Sequence, residues 1–156
     1  MVGGSGNFTS YKNKIQDNTS TGYYLNLSPN VGYFIVDNFS IGSIVPFYFD
    51  NASGPNNSNL NYGLAPFFRY YFRKSDKIIN PFFQASYGFI RSKIIAERGY
   101  NTASEYRLRG GTALFLNSSV AFEITVEYNA AIKNVNNFQY NNIVAGIGFQ
   151  IHLEKE

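Results

Sequence analysis

Cysteine and tryptophan are both missing from this chain of 156 residues, and histidine occurs once, at position 152. Without cysteine there are no disulfides and no thiolate metal ligands, and the redox compartment stays open. Charge is scarce as well: Asp, Glu, Lys and Arg make up only 15% of the residues, little for the surface of a soluble domain of this size. A net charge of +3 and a pI near 9.0 suggest an anionic partner. The thirteen Lys and Arg, however, are scattered among ten acids and form no basic stripe of the kind nucleic-acid binding needs, so no nucleic-acid partner is expected. No apolar run approaches the ~20 residues of a transmembrane helix. If this chain spans a membrane, it does so as a barrel. Met1 runs directly into Val2-Gly3-Gly4-Ser5-Gly6, already strand-like, so no signal peptide is read. The chain is then cytosolic, or a leader has been removed ahead of an artificial Met1.

What the chain has in abundance is aromatic: thirteen Tyr and fifteen Phe. From Val120 to Ala130, one face carries Val120, Phe122, Ile124, Val126 and Tyr128, and the other Ala121, Glu123, Thr125, Glu127 and Asn129. Only a strand satisfies that period of two. Ile143, Ala145, Ile147, Phe149 and Ile151 repeat it against a face of Asn142, Val144, Gly146, Gly148, Gln150 and His152. A soluble sandwich or barrel packs its apolar face inward, whereas a small membrane barrel turns that face to lipid and fills itself with polar groups.

Connections rich in Asn, Ser, Gly and Thr, near Lys12 to Ser20, Asp50 to Asn59, Ala96 to Ser104 and Lys133 to Asn137, read as long loops. Tight turns at Val36 to Asn38, Arg73 to Lys77 and Asn117 to Ser119 alternate with them. About eight strands are predicted between: Val2 to Tyr11, Thr21 to Ile35, Phe39 to Phe49, Leu60 to Phe72, Ile78 to Ile94, Glu105 to Leu116, Val120 to Lys133 and Phe138 to Leu153. Both termini fall at the short-turn end and every long loop at the other, the asymmetry of an up-and-down outer-membrane barrel. Residues 1–156 make one such domain.

Aligning like faces across the tight turns pairs Leu116 with Val120, Leu114 with Phe122, Thr112 with Ile124 and, on the polar face, Arg109 with Glu127. The same rule pairs Ile35 with Phe39, Tyr33 with Ile41 and Leu27 with Phe47, and then Phe68 with Phe83, Leu64 with Tyr87 and Tyr62 with Phe89. Apolar-face rings then gather near the short turns (Tyr33, Tyr70, Phe72, Phe83, Phe149) and near the long loops (Tyr23, Phe47, Phe49, Tyr62, Phe89, Tyr106, Tyr128). Two aromatic girdles around an apolar band seat a barrel in a bilayer. A two-layer β protein with a ring-rich core is the plain alternative, and the small residues and paired charges of the opposite face weigh against it. Pro29, Pro46 and Pro66 fall inside predicted strands, where either local bulges or different strand limits are expected.

The polar face predicts a lumen network of Arg69, Arg107, Arg109, Glu123 and Glu127, accompanied by Asn26, Asn30, Gln84, Ser86, Thr125 and Gln150. Charges withdrawn from water must pair, and the arginine fork suits carboxylates. Such a network is either an ion path or a polar plug, and the narrow bore of about eight strands favours the plug. As a general acid and base, each glutamate would face an arginine that favours its ionised form, which works against catalysis. His152 reads as an exposed strand-end residue at the short-turn end. It lies away from the loops where a lipid-modifying barrel enzyme builds its site, and no pattern supports a Ser-His-acid triad. Gly3-Gly4-Ser5-Gly6 lacks the Lys-Ser or Lys-Thr and the helix of a phosphate loop, so close strand packing explains it better. Asn51-Ala52-Ser53 and Asn56-Asn57-Ser58 match glycosylation triplets, which carry little weight in a chain so rich in Asn and Ser. Arg91, Lys93 and Arg98, near a long loop, are placed to contact anionic lipid phosphates.

In order and spacing, three stretches resemble the small outer-membrane β-barrel proteins of Gram-negative bacteria, in the OmpA and OmpX style. They are Val2-Gly3-Gly4-Ser5-Gly6-Asn7-Phe8, the run from Leu27-Ser28-Pro29-Asn30 through Asp37-Asn38-Phe39 to Gly42, and Pro66-Phe67-Phe68-Arg69-Tyr70-Tyr71-Phe72. The likeness spans essentially the whole chain. It implies an all-β, eight-stranded antiparallel transmembrane barrel in the cell outer membrane. The expected role is structural or interactive, with no catalytic residues, metal or cofactor. The expected partners are the lipid bilayer and a ligand or protein met through the long loops, and the chain is expected to be a monomer. A narrow pore for ions or very small solutes, a lipid-modifying enzyme and a soluble lipocalin-like barrel are the rivals. Members of this family carry a leader and often end on an aromatic residue, whereas this chain ends His152-Leu153-Glu154-Lys155-Glu156.

Overall fold

The computed structural model describes residues 1–15, 18–52, 58–73, 77–94, 101–133 and 139–153. Among them are nine strands: β1 (Val2–Ile15), β2 (Asn18–Val36), β3 (Phe39–Ile44), β4 (Phe47–Ala52), β5 (Ser58–Tyr71), β6 (Ile79–Ile94), β7 (Asn101–Phe115), β8 (Val120–Lys133) and β9 (Gln139–Ile151). All neighbours pair antiparallel, and β1 pairs with both β2 and β9, so the sheet closes on itself. Closure at the β1–β9 seam runs from Val2 opposite Ile151 to Gly6 opposite Ile147.

β3 and β4 both lie between β2 and β5, in the place of the single strand predicted from Phe39 to Phe49. The eight expected staves are present, one of them broken at Val45-Pro46. Proline has no N–H to give, but its carbonyl is used: Gly63 N donates to Pro46 O at 3.1 Å, and Val45 N donates to Pro29 O at 2.9 Å. The bulges expected at the prolines are not found. Pairing resumes in phase across Val45-Pro46, from Asn30 opposite Ile44 to Leu27 opposite Phe47, and likewise across Ala65-Pro66. A register shift falls instead between Phe34 and Val36, so that Val36 and not Ile35 stands opposite Phe39.

The hairpin around Asn117 keeps its predicted register, including Arg109 opposite Glu127. The hairpin from β5 to β6 does not: Leu64 meets Phe89, Phe68 meets Ala85 and Tyr62 meets Arg91, two residues from expectation. Asn80 is the cause. Its side chain accepts from Arg73 N at 3.0 Å and donates to Arg73 O at 2.9 Å, which sets Asn80 across from Arg73 and makes the connection asymmetric. A slip of two leaves every side chain on its own face. At the opposite end the strands outrun the predicted limits, with β1 and β2 paired as far as Ile15 opposite Asn18, within the presumed loop from Lys12 to Ser20.

Burial is inverted relative to a soluble protein. Ile124 is 55% exposed and Ile147 58%, while Glu123 is 1% exposed and Glu127 5%. Phe122 lies half-buried on the same outer face as Ile124. The predicted girdle rings stand outward, Phe49 half-buried and the rest exposed. Apolar groups outside and charges inside describe a barrel seated in lipid. The interior is not uniformly polar, however. Near the short turns Met1, Ile44, Ala65 and Phe67 form one apolar cluster, and Tyr71, Phe82, Ala113 and Ala121 another, with Phe34 packed against both. Paired Gly32 and Gly42 make room for Phe67: a Cβ on Gly42 would stand 2.6 Å from its ring.

Candidate functional site: the barrel lumen

Alternation sends every second side chain inward, and β5, β7 and β8 place charges at those positions in successive levels. Nearest the short turns is Arg69, fully buried. Its Nε donates to Gln84 Oε1 at 2.7 Å, and its Nη1 donates to Glu123 Oε1 at 2.6 Å and to the Tyr71 hydroxyl at 3.0 Å. The guanidinium lies 4.4 Å from the Phe82 ring centroid, and Gln150 Nε2 donates to Asn30 Oδ1 at 3.2 Å in the same region. One level up, Arg109 Nε donates to Glu127 Oε2 at 2.6 Å. Closest to the long loops, Arg107 Nη2 donates to Glu105 Oε2 at 2.9 Å and Nη1 to Ser28 Oγ at 3.2 Å, while the Tyr48 hydroxyl donates to Glu105 Oε1 at 2.9 Å.

All five predicted charged residues are therefore inside, divided among three ion pairs at three depths. The six accompanying polar residues are buried too. Glu105 escaped the sequence reading because it opened a predicted strand. The spacing Glu105, Arg107, Arg109 puts the three on one strand face and was the signal available. Tyr48, Tyr71 and Phe82, also buried, were not anticipated, and Asn129 is buried with the polar face of β8 on which the alternation places it. The cavity beside Arg109 and Glu127 measures about 10 Å³, barely the space of one water. Above Arg107, toward the long loops, a cavity of about 460 Å³ opens between Tyr24, Tyr48 and Asn129.

His152 corrects an expectation: it is not an exposed strand end. Just beyond β9, its ring lies 5.0 Å from Phe115, 5.2 Å from Phe34 and 5.5 Å from Tyr71, and Nε2 is 3.2 Å from the Tyr71 hydroxyl. The signal was legible, since His152 shares its face with Gln150. Desolvation in this cage, followed by the charge of Arg69, lowers the imidazole to about 4 from 6.5. The unfolded chain then takes up its proton first as pH falls. The stability this residue confers is complete above pH 6.5 and is lost between there and about 4. We expect the imidazole resonances in detergent micelles to titrate with a midpoint near 4; a midpoint near 6.5 would place the ring in open water.

Arg91 and Lys93 follow Phe89 on the outward face of β6, above it toward the long loops, with Arg91 exposed. Arg98 lies outside the described residues.

These features define the class: a small transmembrane β-barrel with ion-paired charges in its interior. No family model matches the sequence, and no curated protein matches it. Among solved structures, Neisserial surface protein A is similar over 97% of this chain and 95% of its own, with a TM-score of 0.69 at 13% identity. The N-terminal β-barrel domain of OprF from Pseudomonas aeruginosa is similar over 96% of each chain, with a TM-score of 0.54 at 12% identity. The chain has the fold of the small outer-membrane β-barrel proteins, as the sequence resemblance implied.

Proposed function

We propose that this protein is a monomeric, non-catalytic barrel of a bacterial outer membrane that keeps its lumen shut and acts at the cell surface through its long-loop end. The observation that carries this reading is the stack of three buried ion pairs across the bore, with about 10 Å³ left beside the middle one. Arginine and carboxylate engaged with each other at hydrogen-bond distance have little freedom to relay ions, and the aromatic cage around His152 backs them at the short-turn end. The same pairing argues against an acid–base role for Glu123 or Glu127. Arg91, paired across β5–β6 with the girdle ring Tyr62, and Lys93 beyond it suit contact with lipid phosphates at the membrane surface.

The rival is a narrow pore. Reconstituted in a planar bilayer, the protein is expected to pass no steady unitary current. Regular steps whose size changes in Arg109→Ala would establish conduction past this residue and overturn the proposal.

A further inference from the structure

The cavity above Arg107 is not used by the closed lumen that forms its floor. It measures about 460 Å³, within the ~300–1,000 Å³ of small-molecule sites. Among the described residues fourteen line it, of which six are asparagines and none is lysine or arginine. Its two acids are Asp50 and Glu105. Glu105 is engaged by Arg107 and by the Tyr48 hydroxyl, and Asp50 accepts from the Tyr11 hydroxyl at 3.4 Å. Among the described residues the wall offers acids and no free cation, which disfavours phosphates and carboxylates. Asparagine amides both donate and accept, which matches a ligand whose groups also do both and carry no charge. Tyr24 and Tyr48 stack at 6.1 Å with 26° between their planes and give the cavity an aromatic side, suited to the C–H face of a ring.

One group in this cavity stands out. Asn129 is 5% exposed, lines the cavity, and its Oδ1 has no hydrogen-bond partner. A buried amide oxygen left unpaired is unfavourable; this one is closed to solvent, and turning the Asn129 amide toward a hydroxyl of a bound molecule would pair it. The geometry points to a binding site for a neutral, hydroxyl-rich small molecule of the sugar class, open toward the long loops and floored by Tyr48 and Glu105, the latter held by Arg107 beneath it. The inference rests on the closed floor of the proposed function.

The test uses the full chain in detergent micelles with glucose, galactose and N-acetylglucosamine as probes, and cationic glucosamine as comparison. Side-chain amide shifts of the cavity asparagines Asn26 and Asn61, which stay in place in every variant, are followed by NMR. At least one neutral sugar should bind saturably with a Kd of about 1 mM or tighter. Asn129→Leu, checked for unchanged heat-modifiable migration, should weaken it at least tenfold, and Ser118→Ala, in an exposed turn at the other end of the barrel, should leave it within about twofold. No saturable shift with any neutral sugar would overturn the assignment. So would binding confined to glucosamine and abolished in Asp50→Asn, which would make this a cation site. Conductance separates the two readings: a barrel that binds sugar yet passes current fails the plug and keeps the site, whereas a silent barrel that binds no sugar does the reverse.

Discussion

Arg69→Ala is expected to destabilise the barrel by about 3–5 kcal/mol, the cost of leaving a buried carboxylate without its counter-charge. Glu123 has almost no access to water, and Arg69 Nη1 sits 2.6 Å from its Oε1. The loss also strands Gln84 Oε1 and removes the cation lying over Phe82. Replacing both partners discriminates between causes. Arg69→Met with Glu123→Leu removes both charges, keeps an apolar stem against Phe82, and should recover most of the loss, because such pairs are often matched by well-packed apolar groups. Urea unfolding of protein folded into lipid vesicles gives both numbers. A single variant within about 1 kcal/mol of wild type would mean that water reaches Glu123, and the idea of a sealed lumen would fail with it.

The strands and their faces were legible because alternation is a property of single residues. Glu123 beside Ile124 already says which side of the wall each occupies, and the hairpin at Asn117 is symmetric, with Asn117 Oδ1 accepting from Ser119 N and Val120 N. Features that depend on one side chain reaching another element were not legible. Asn80 capping Arg73 shifts a register by two, and nothing in composition marks that asparagine from its neighbours. The inward rings Phe34, Phe67, Tyr71 and Phe82 follow the same alternation as the outward ones, but aromatic residues suit lipid and core alike, so the apolar floor went unread. The candidate site was half visible: its arginines, its glutamates and Asn129 follow the alternation, whereas the cavity that Glu105 and Asn129 border exists only once the strands close.

Ile124→Arg should be nearly as damaging, for the opposite reason. Ile124 faces outward between the Phe122–Phe149 pair toward the short turns and Tyr128 toward the loops, with Ile147 directly across on β9. Arginine at such a mid-bilayer position costs about 2–4 kcal/mol, and near the interface about 0–1. The same substitution at Tyr128, in the outer girdle, should therefore cost a small fraction of this, and the difference between the two variants measures depth in lipid directly. Vesicle-folded protein unfolded in urea is again the assay. A soluble barrel reverses the expectation, because water meets an exposed isoleucine and an exposed arginine alike at little cost, and the change should then make the protein easier to handle without detergent. Equal, small effects at Ile124 and Tyr128 would remove the bilayer from the account. A steep difference leaves no other solvent for the outer face.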